Sequence, residues 1–148
     1  MLKEYLQRIR FDGPVRADLE TLGALQRAHA NAIPFENLDV QLGRPVSIAL
    51  EPCFEKLVRR RRGGWCFEMN RVFGWALQEI GFDVTRLSAG VHRMRIGDFQ
   101  LGNHLCLRVM LEQPYLVDVG FGGRHLAIAF FRDGLFQRVE VAARLGEQ

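Results

Sequence analysis

The chain has 148 residues, 48% of them hydrophobic and 25% charged, which is the composition of a globular domain and not of a disordered or fibrous chain. The net charge is only +3, and no stretch approaches the ~20 consecutive apolar residues of a membrane span, so neither nucleic acid nor a membrane is expected as a partner. The three cysteines form no CxxC pair, which argues against a disulfide framework and a zinc site and favours a reducing compartment. The first residues also lack the pattern of a secretory signal, and we therefore expect a cytoplasmic protein without a metal.

The first half of the chain has the apolar spacing of helices, and four of them are predicted. They cover residues 2–9, 17–30, about 51–62 and 66–80. The third has Pro52 in its first turn, and the basic run Arg59–Arg62 lies at its C-terminal end, where cations are favoured and the side chains are expected to be solvated. Gly63-Gly64 and Gly81 are placed to end the third and the fourth helix. The segment Ile33–Leu38 is predicted to be extended, because a proline follows its first residue.

The second half changes to the alternation of two that is typical of β-strands. Strands are predicted over Val84–Val91, His104–Val109 and Leu116–Val119, with a turn at Glu112–Pro114 and one more hairpin between residues 125 and 141. The predicted fold class is therefore α+β, with a helical lobe over residues 1–81 followed by an antiparallel β lobe over residues 82–148. The assignment of the tail, residues 124–148, to the β lobe rests only on this predicted hairpin.

One segment places a cysteine where its reactivity can change. In Arg62–Asn70, which reads Arg-Gly-Gly-Trp-Cys-Phe-Glu-Met-Asn, Cys66 follows two glycines and begins the fourth predicted helix. Free N–H groups at a helix N-terminus favour a thiolate, but they contribute only about 0.3–1 kcal/mol, which is less than one pKa unit. Activation therefore requires a cationic partner, of which histidine is the usual one. Position alone leaves Cys66 open as a nucleophile or as a buried, inert thiol.

A histidine and an aspartate in the β lobe can supply this partner and an orienting carboxylate. His104 begins one predicted strand, and Asp118 lies in the next between two valines, where an unpaired charge would be costly. Cys66, His104 and Asp118 can therefore form a catalytic nucleophile, its base and an orienting acid. The other histidines lie on a predicted helix, in a polar loop and in the tail: His29, His92 and His125.

The strand register decides whether His104 and Asp118 meet. A tight two-residue turn at Glu112–Gln113 would pair Leu107 with Asp118. His104 would then lie roughly 10 Å along the strand from the carboxylate, so a longer turn, a bulge or strong twist is needed to close the gap. The predicted triad is thus also a prediction about register.

These residues belong to a set of motifs that resembles the arylamine N-acetyltransferase family. The cysteine segment is similar to the family's active-site signature, and Ile33–Asp39 resembles its Pro-Phe-Glu-Asn element. Asn103–Leu105 and Val117–Gly122 match the segments that carry the family's histidine and aspartate. The four motifs occur in the family's order, and the resemblance covers about residues 1–123.

The resemblance implies ping-pong acetyl transfer from acetyl-CoA to the nitrogen of an arylamine or arylhydrazine, or to the oxygen of an arylhydroxylamine, as in xenobiotic metabolism. Cys66 would carry the acetyl group as a thioester, His104 would hold the thiolate and later deprotonate the acceptor, and Asp118 would fix the imidazole tautomer. Phe35 would line the acceptor pocket, and Asn103 would lie beside the substrate.

The resemblance also implies a longer chain. Family members complete a β-barrel within a cysteine-protease-like catalytic core and add an α/β domain over the cleft, whereas this sequence stops at Gln148. We therefore expect a truncated chain with an incomplete barrel, no C-terminal lid domain and unpaired strand edges that favour self-association. Arg62 and Glu68 are expected to hold the cysteine loop through an ion pair or capping contacts.

Other functions remain open on the residues alone. A transglutaminase-like enzyme or a cysteine hydrolase would use the same Cys-His-Asp triad with a different acceptor. A truncated remnant would keep the triad without turnover, because positioning of both substrates supplies a large share of the rate. A binding module without catalysis would instead use the basic run Arg59–Arg62.

Overall fold

The computed structural model describes residues 1–90, 102–121 and 129–130. Its helices are α1 (Leu2–Arg8), α2 (Leu19–Ala32), α3 (Leu38–Gln41), α4 (Leu50–Phe54), a π-helix (Glu55–Arg59) and α5 (Cys66–Ile80). Its strands are β1 (Asp83–Ala89), β2 (His104–Met110), β3 (Pro114–Val117) and β4 (Ala129–Phe130). The predicted α+β class is therefore confirmed. None of the helices in these ranges is long and apolar enough to cross a membrane.

The ends of the two long helices follow from local chemistry. Asp18 precedes α2, and its carboxylate accepts a hydrogen bond of 2.8 Å from the N–H of Thr21, so the helix begins slightly later than predicted. α5 occupies its predicted range, and the N–H of Trp65 donates to the Glu68 carboxylate across 3.2 Å at its first turn. Gly81 follows α5 with φ of 108°, a left-handed conformation that favours glycine.

The third predicted helix is present, because α4 passes directly into the π-helix, but the combined segment runs from Leu50 to Arg59 and ends before residue 62. Its last turn is π-helical: the N–H of Arg60 donates to the carbonyl of Glu55, five residues earlier, across 2.9 Å. Arg59, Arg60 and Arg61 are exposed as expected, but Arg62 is half-buried. The single turn α3 was not predicted, because four residues are too few to reveal a helical period.

The strands form one antiparallel sheet in the order β1-β2-β3-β4. β2 pairs with β3 from Met110↔Pro114 to Leu107↔Val117, so the loop between them consists of residues 111–113 and is one residue longer than the predicted tight turn. β4 pairs with β3. The rest of the predicted hairpin between residues 125 and 141, together with His92 and His125, lies outside the described residues.

One hydrophobic core joins the helices to the sheet. It includes Tyr5 of α1, Leu25 of α2 and Phe73 of α5, together with Val109 and Val117 of the sheet. α5 packs on β1 and β2, which brings the N-terminus of the helix towards the start of β2. The core therefore fixes the relative position of the two elements on which Cys66 and His104 lie.

A buried histidine contributes a polar contact to this core. Nδ1 of His29 lies 2.9 Å from the hydroxyl oxygen of Tyr5, and the ring of Phe73 meets the imidazole edge-on with centroids 5.3 Å apart. Burial lowers the pKa of His29 to about 3, so the side chain is neutral in the folded chain at ordinary pH. His29 is thus part of the packing between α1, α2 and α5.

Candidate active site

Cys66 lies in the first turn of α5 and faces the start of β2. The residue is 6% exposed, and its Sγ lies 4.0 Å from the carbonyl oxygen of Asn103. The unpaired N–H groups of a helix N-terminus carry a partial positive charge, which favours the thiolate form of a cysteine placed there.

The observed strand register brings His104 and Asp118 together. Nε2 of His104 lies 2.6 Å from Oδ2 of Asp118. Because Leu107 pairs with Val117, continuing the register by one residue sets Asp118 opposite Cys106. His104 is then a diagonal neighbour of Asp118 on the same face of the sheet. Asp118 follows the last residue of β3, so its predicted place within a strand is wrong.

Two polar neighbours determine the charge of His104. Burial alone would lower the pKa of His104, but hydrogen bonds to Asp118 and Cys66 outweigh this effect and raise the pKa to about 9. The imidazole is therefore protonated at neutral pH. Since Nε2 faces Asp118, Nδ1 is the ring nitrogen that remains for the sulfur of Cys66.

The carboxylate of Asp118 is also held on its second oxygen. Oδ1 accepts hydrogen bonds from Nδ2 of Asn70 across 2.8 Å and from the N–H of Gly120 across 2.7 Å. Nε2 of Gln26 donates to the backbone carbonyl of Asp118 across 3.2 Å. The carboxylate cannot rotate away from His104 without losing two hydrogen bonds. Sequence reasoning assigned no role to Asn70, and no local pattern pointed to Gln26.

Gly120 allows the loop that carries Asp118 to lie directly on α5. A Cβ atom at Gly120 would be 2.5 Å from Cα of Cys66 and 2.9 Å from Nδ2 of Asn70. Both distances are well inside van der Waals contact, and the first involves backbone that cannot rotate aside. Close approach of the loop to the helix therefore requires glycine at this position.

The two glycines before the cysteine lie beside the segment that contains Phe35. The N–H of Gly64 donates to the carbonyl of Pro34 across 3.2 Å, and the N–H of Glu36 donates to the carbonyl of Gly64 across 2.9 Å. A Cβ atom at Gly63 would be 2.2 Å from the Pro34 carbonyl oxygen, so the contact requires a glycine. This bridge ties the predicted extended segment to the cysteine loop.

Charged side chains hold the same loop, and we call them the loop network: Glu36, Asp39, Lys56, Arg62 and Glu68. Nζ of Lys56 lies 2.8 Å from Oε2 of Glu68 and 3.0 Å from Oδ2 of Asp39. Nη2 of Arg62 lies 2.8 Å from both Glu36 and Asp39. Hydrogen bonds from Lys56 and then Arg62 lower the pKa of Asp39 to about 2, so this carboxyl stays ionised. The sequence did not single out Lys56.

The residues implied as substrate contacts lie at the surface of the site. Phe35 is 45% exposed and bridges to Gly64, and Asn103 is exposed with its carbonyl next to the sulfur of Cys66. Phe121, which the sequence did not single out, meets the ring of His104 edge-on with centroids 5.6 Å apart. Phe121 therefore contacts His104 through its ring, and Phe35 is joined to the cysteine loop through its backbone.

The other two cysteines lie in the interior of the fold. Burial raises the pKa of Cys53 and of Cys106 to about 12, so neither is ionised at neutral pH. Within residues 1–90 and 102–121, no cluster of three histidine, cysteine, aspartate or glutamate side chains could hold a metal ion.

Comparisons with known proteins concern most of this chain. A family model described as N-acetyltransferase matches residues 18–135. An arylamine N-acetyltransferase of Mycolicibacterium smegmatis is 51% identical over 128 residues, and arylamine N-acetyltransferase 1 of Homo sapiens is 39% identical over 124 residues. Each alignment covers 82% of this chain, but only 46% and 43% of those two proteins. The chain thus spans about half the length of the curated relatives it matches.

Solved structures agree with these relatives. The arylamine N-acetyltransferase of Mycobacterium marinum in complex with CoA matches with a TM-score of 0.82 at 40% identity, over 89% of this chain and 51% of that chain. The enzyme from Salmonella typhimurium matches with a TM-score of 0.81 at 37% identity, over 88% of this chain and 48% of that chain. The matched part of the chain therefore shares its fold with these structures.

Proposed function

Since the chain belongs to the arylamine N-acetyltransferase family, we propose that it transfers an acetyl group from acetyl-CoA to the nitrogen of an arylamine or arylhydrazine, or to the oxygen of an arylhydroxylamine. The observation that carries the proposal is the contact between His104 and Asp118 beside Cys66, with a distance of 2.6 Å between Nε2 and Oδ2. An ordinary cysteine is only a few per cent thiolate at neutral pH, and a protonated histidine at its side favours the reactive form.

In the first half-reaction, the thiolate of Cys66 attacks the acetyl carbonyl carbon of acetyl-CoA. The bond between that carbon and the CoA sulfur breaks, and the proton of His104 passes to the leaving CoA thiolate. The products are acetyl-Cys66, neutral His104 and free CoA. Asp118 keeps the imidazole oriented through Nε2, so Nδ1 can give up its proton.

In the second half-reaction, the acceptor nitrogen attacks the acetyl-Cys66 thioester. Nδ1 of His104 takes the proton from that nitrogen, and the sulfur leaves as the thiolate, which restores the initial ion pair. An arylamine suits this step because its nitrogen is already neutral at pH 7. We assign Phe35 to the acceptor pocket and Asn103 to the region beside the substrate, since both lie at the surface next to the cysteine loop and β2.

The proposal extends to the architecture around the site. We infer that the helical lobe, residues 1–81, and the β lobe, residues 82–148, form a cysteine-protease-like core in which the sheet is part of a β-barrel. Two described features support this: the nucleophile begins a helix that packs on the sheet, and the histidine begins β2 while the aspartate directly follows β3.

The intact mass of the chain after incubation with acetyl-CoA tests the donor half-reaction. We expect one acetyl group, mapped to Cys66 and absent from Cys66→Ser. Addition of an arylamine should then remove the group and yield the N-acetylated product. A folded chain that takes up no acetyl group contradicts the proposal, and release of free acetate without an acceptor favours a hydrolase instead.

A further inference from the structure

Asn70 lies one turn after Cys66 on the same face of α5 and is fully buried. Its Nδ2 donates to the carbonyl of Leu105 across 2.7 Å and to Oδ1 of Asp118 across 2.8 Å. Its Oδ1 accepts a hydrogen bond from the N–H of Val119 across 3.1 Å. One side chain of the helix thus bonds to the strand that begins with the histidine and to the loop that carries the aspartate.

The orientation of the Asn70 amide follows from its partners. The two groups facing Nδ2, a carbonyl and a carboxylate, can only accept, whereas the group facing Oδ1 is a backbone N–H that can only donate. A flipped amide would set its oxygen against two acceptors and its NH₂ group against a donor. Both donor hydrogens and the acceptor of Asn70 are therefore in use, and no shorter or apolar side chain can replace all three bonds.

We propose that Asn70 is a positioning residue that fixes the Asp118 carboxylate relative to Cys66, and thereby keeps His104 in the orientation that ionises the thiol. This inference rests on the roles of the triad in the proposed function. It also accounts for the glycine at position 120, since a Cβ atom there would collide with Nδ2 of Asn70 at 2.9 Å. The helix that carries the nucleophile then aligns the acid as well.

Alkylation by iodoacetamide measures the thiolate of Cys66 without acetyl-CoA or an acceptor. In Asn70→Ala we expect the rate at Cys66 to fall about tenfold at about pH 6, because His104 no longer stabilises the thiolate, and to approach the wild-type rate at about pH 9.5, where an ordinary thiol also ionises. Peptide mapping separates the three cysteines, and protection of Cys53 and Cys106 reports that the variant is folded. An equal rate for wild type and variant at about pH 6 overturns the inference.

A double-mutant cycle with Asp118→Asn separates positioning from general damage to the fold. If Asn70 acts through the carboxylate, Asn70→Ala should slow alkylation in the wild-type background and have little further effect in the Asp118→Asn background. The same loss in both backgrounds overturns the inference. Val72→Ala is a matched control, because Val72 is fully buried on the same helix outside the site, and its truncation should leave the pH dependence of Cys66 alkylation unchanged.

Asn70→Asp tests the inference in a variant of almost the same shape. Its carboxyl still accepts from the N–H of Val119, and when protonated it can donate to Asp118, but two ionised carboxylates at this distance repel each other. We expect its alkylation rate relative to wild type to fall as the pH rises from about 5 to about 7, below the range in which an ordinary thiol ionises, and a constant ratio over this range counts against Asn70. If the Asn70 variants show the expected differences in alkylation but the wild-type chain is not acetylated, only the proposed function is contradicted. If the wild-type chain is acetylated but the variants show no difference in alkylation, only this inference is contradicted.

Discussion

Lys56 offers the sharpest test of how the cysteine loop is held. Its ammonium group contacts three carboxylates of the loop network, but they do not depend on it equally. Glu36 and Asp39 keep Arg62 as a partner when Lys56 is removed, because Arg62 lies 2.8 Å from each. Glu68 has no second cation among its contacts in the described part of the chain, and its side chain is only 4% exposed. Lys56→Met therefore leaves one buried carboxylate without a counter-ion.

The expected cost is large for a single substitution. Removal of one partner of a buried ion pair costs about 3–5 kcal/mol, because the remaining charge stays desolvated. Lys56 is itself 13% exposed, so we expect the lower end of that range, about 3 kcal/mol. The total stability of a domain is typically about 5–15 kcal/mol, so the variant should still fold but with a clearly lower midpoint of unfolding.

Urea unfolding at neutral pH measures this difference, and a second substitution identifies its cause. Glu68→Gln in the Lys56→Met background removes the unpaired charge, while its amide oxygen can still accept the N–H of Trp65. We expect the double variant to regain most of the lost stability. A free energy of unfolding for Lys56→Met within about 1 kcal/mol of wild type, or no recovery in the double variant, would refute the reasoning.

Three further perturbations test the site and the core. His104→Ala removes the cation beside Cys66, and we expect alkylation at about pH 6 to slow at least tenfold by peptide mapping; an unchanged rate assigns activation to another group. Because folding raises the pKa of His104 from 6.5 to about 9, its contribution to stability should be complete below pH 6.5 and should be lost as the pH rises through about 9. The difference in unfolding free energy between wild type and His104→Ala, measured as a function of pH, tests this expectation. Gly120→Ala pushes the loop off α5, and we expect slower alkylation together with a loss of about 1–3 kcal/mol in urea unfolding; normal alkylation contradicts the close approach. The pKa of His29 falls from 6.5 to about 3, so stability should decrease as the pH drops below the higher value, and His29→Gln should flatten that dependence.

Local sequence patterns predicted the long elements well. α5 begins and ends where expected because its first turn is fixed by Glu68 and its last by Gly81, both of which act within a few residues. The π-helix was missed because its apolar residues also fit an α-helical period over so short a range. α3 was missed because it is also too short, with four residues, to show a helical period.

The site needed information that no local pattern contains. The sequence indicated Cys66, His104 and Asp118, but one residue in the length of the β2–β3 loop decides whether the last two share a face of the sheet. Asn70 and Lys56 act through partners far away in the chain, and polar residues within a helix usually indicate its solvent side. Asn70 is buried only when α5 docks on β2, and Lys56 only when Asp39 and Glu68 come together around it.

The single core that joins the helices to the sheet makes Cys66 a reporter of native-state opening. Every transient separation of α5 from β2 moves the sulfur of Cys66 away from the imidazole and opens the core in which Cys53 of α4 is shielded. Slow labelling at Cys53 in the intact chain would then count opening events, and its rate relative to that of an unprotected thiol would give the fraction of time for which the core is open. One cysteine beside the site and another inside the core thus let ordinary thiol chemistry follow a fluctuation that leaves the average structure unchanged.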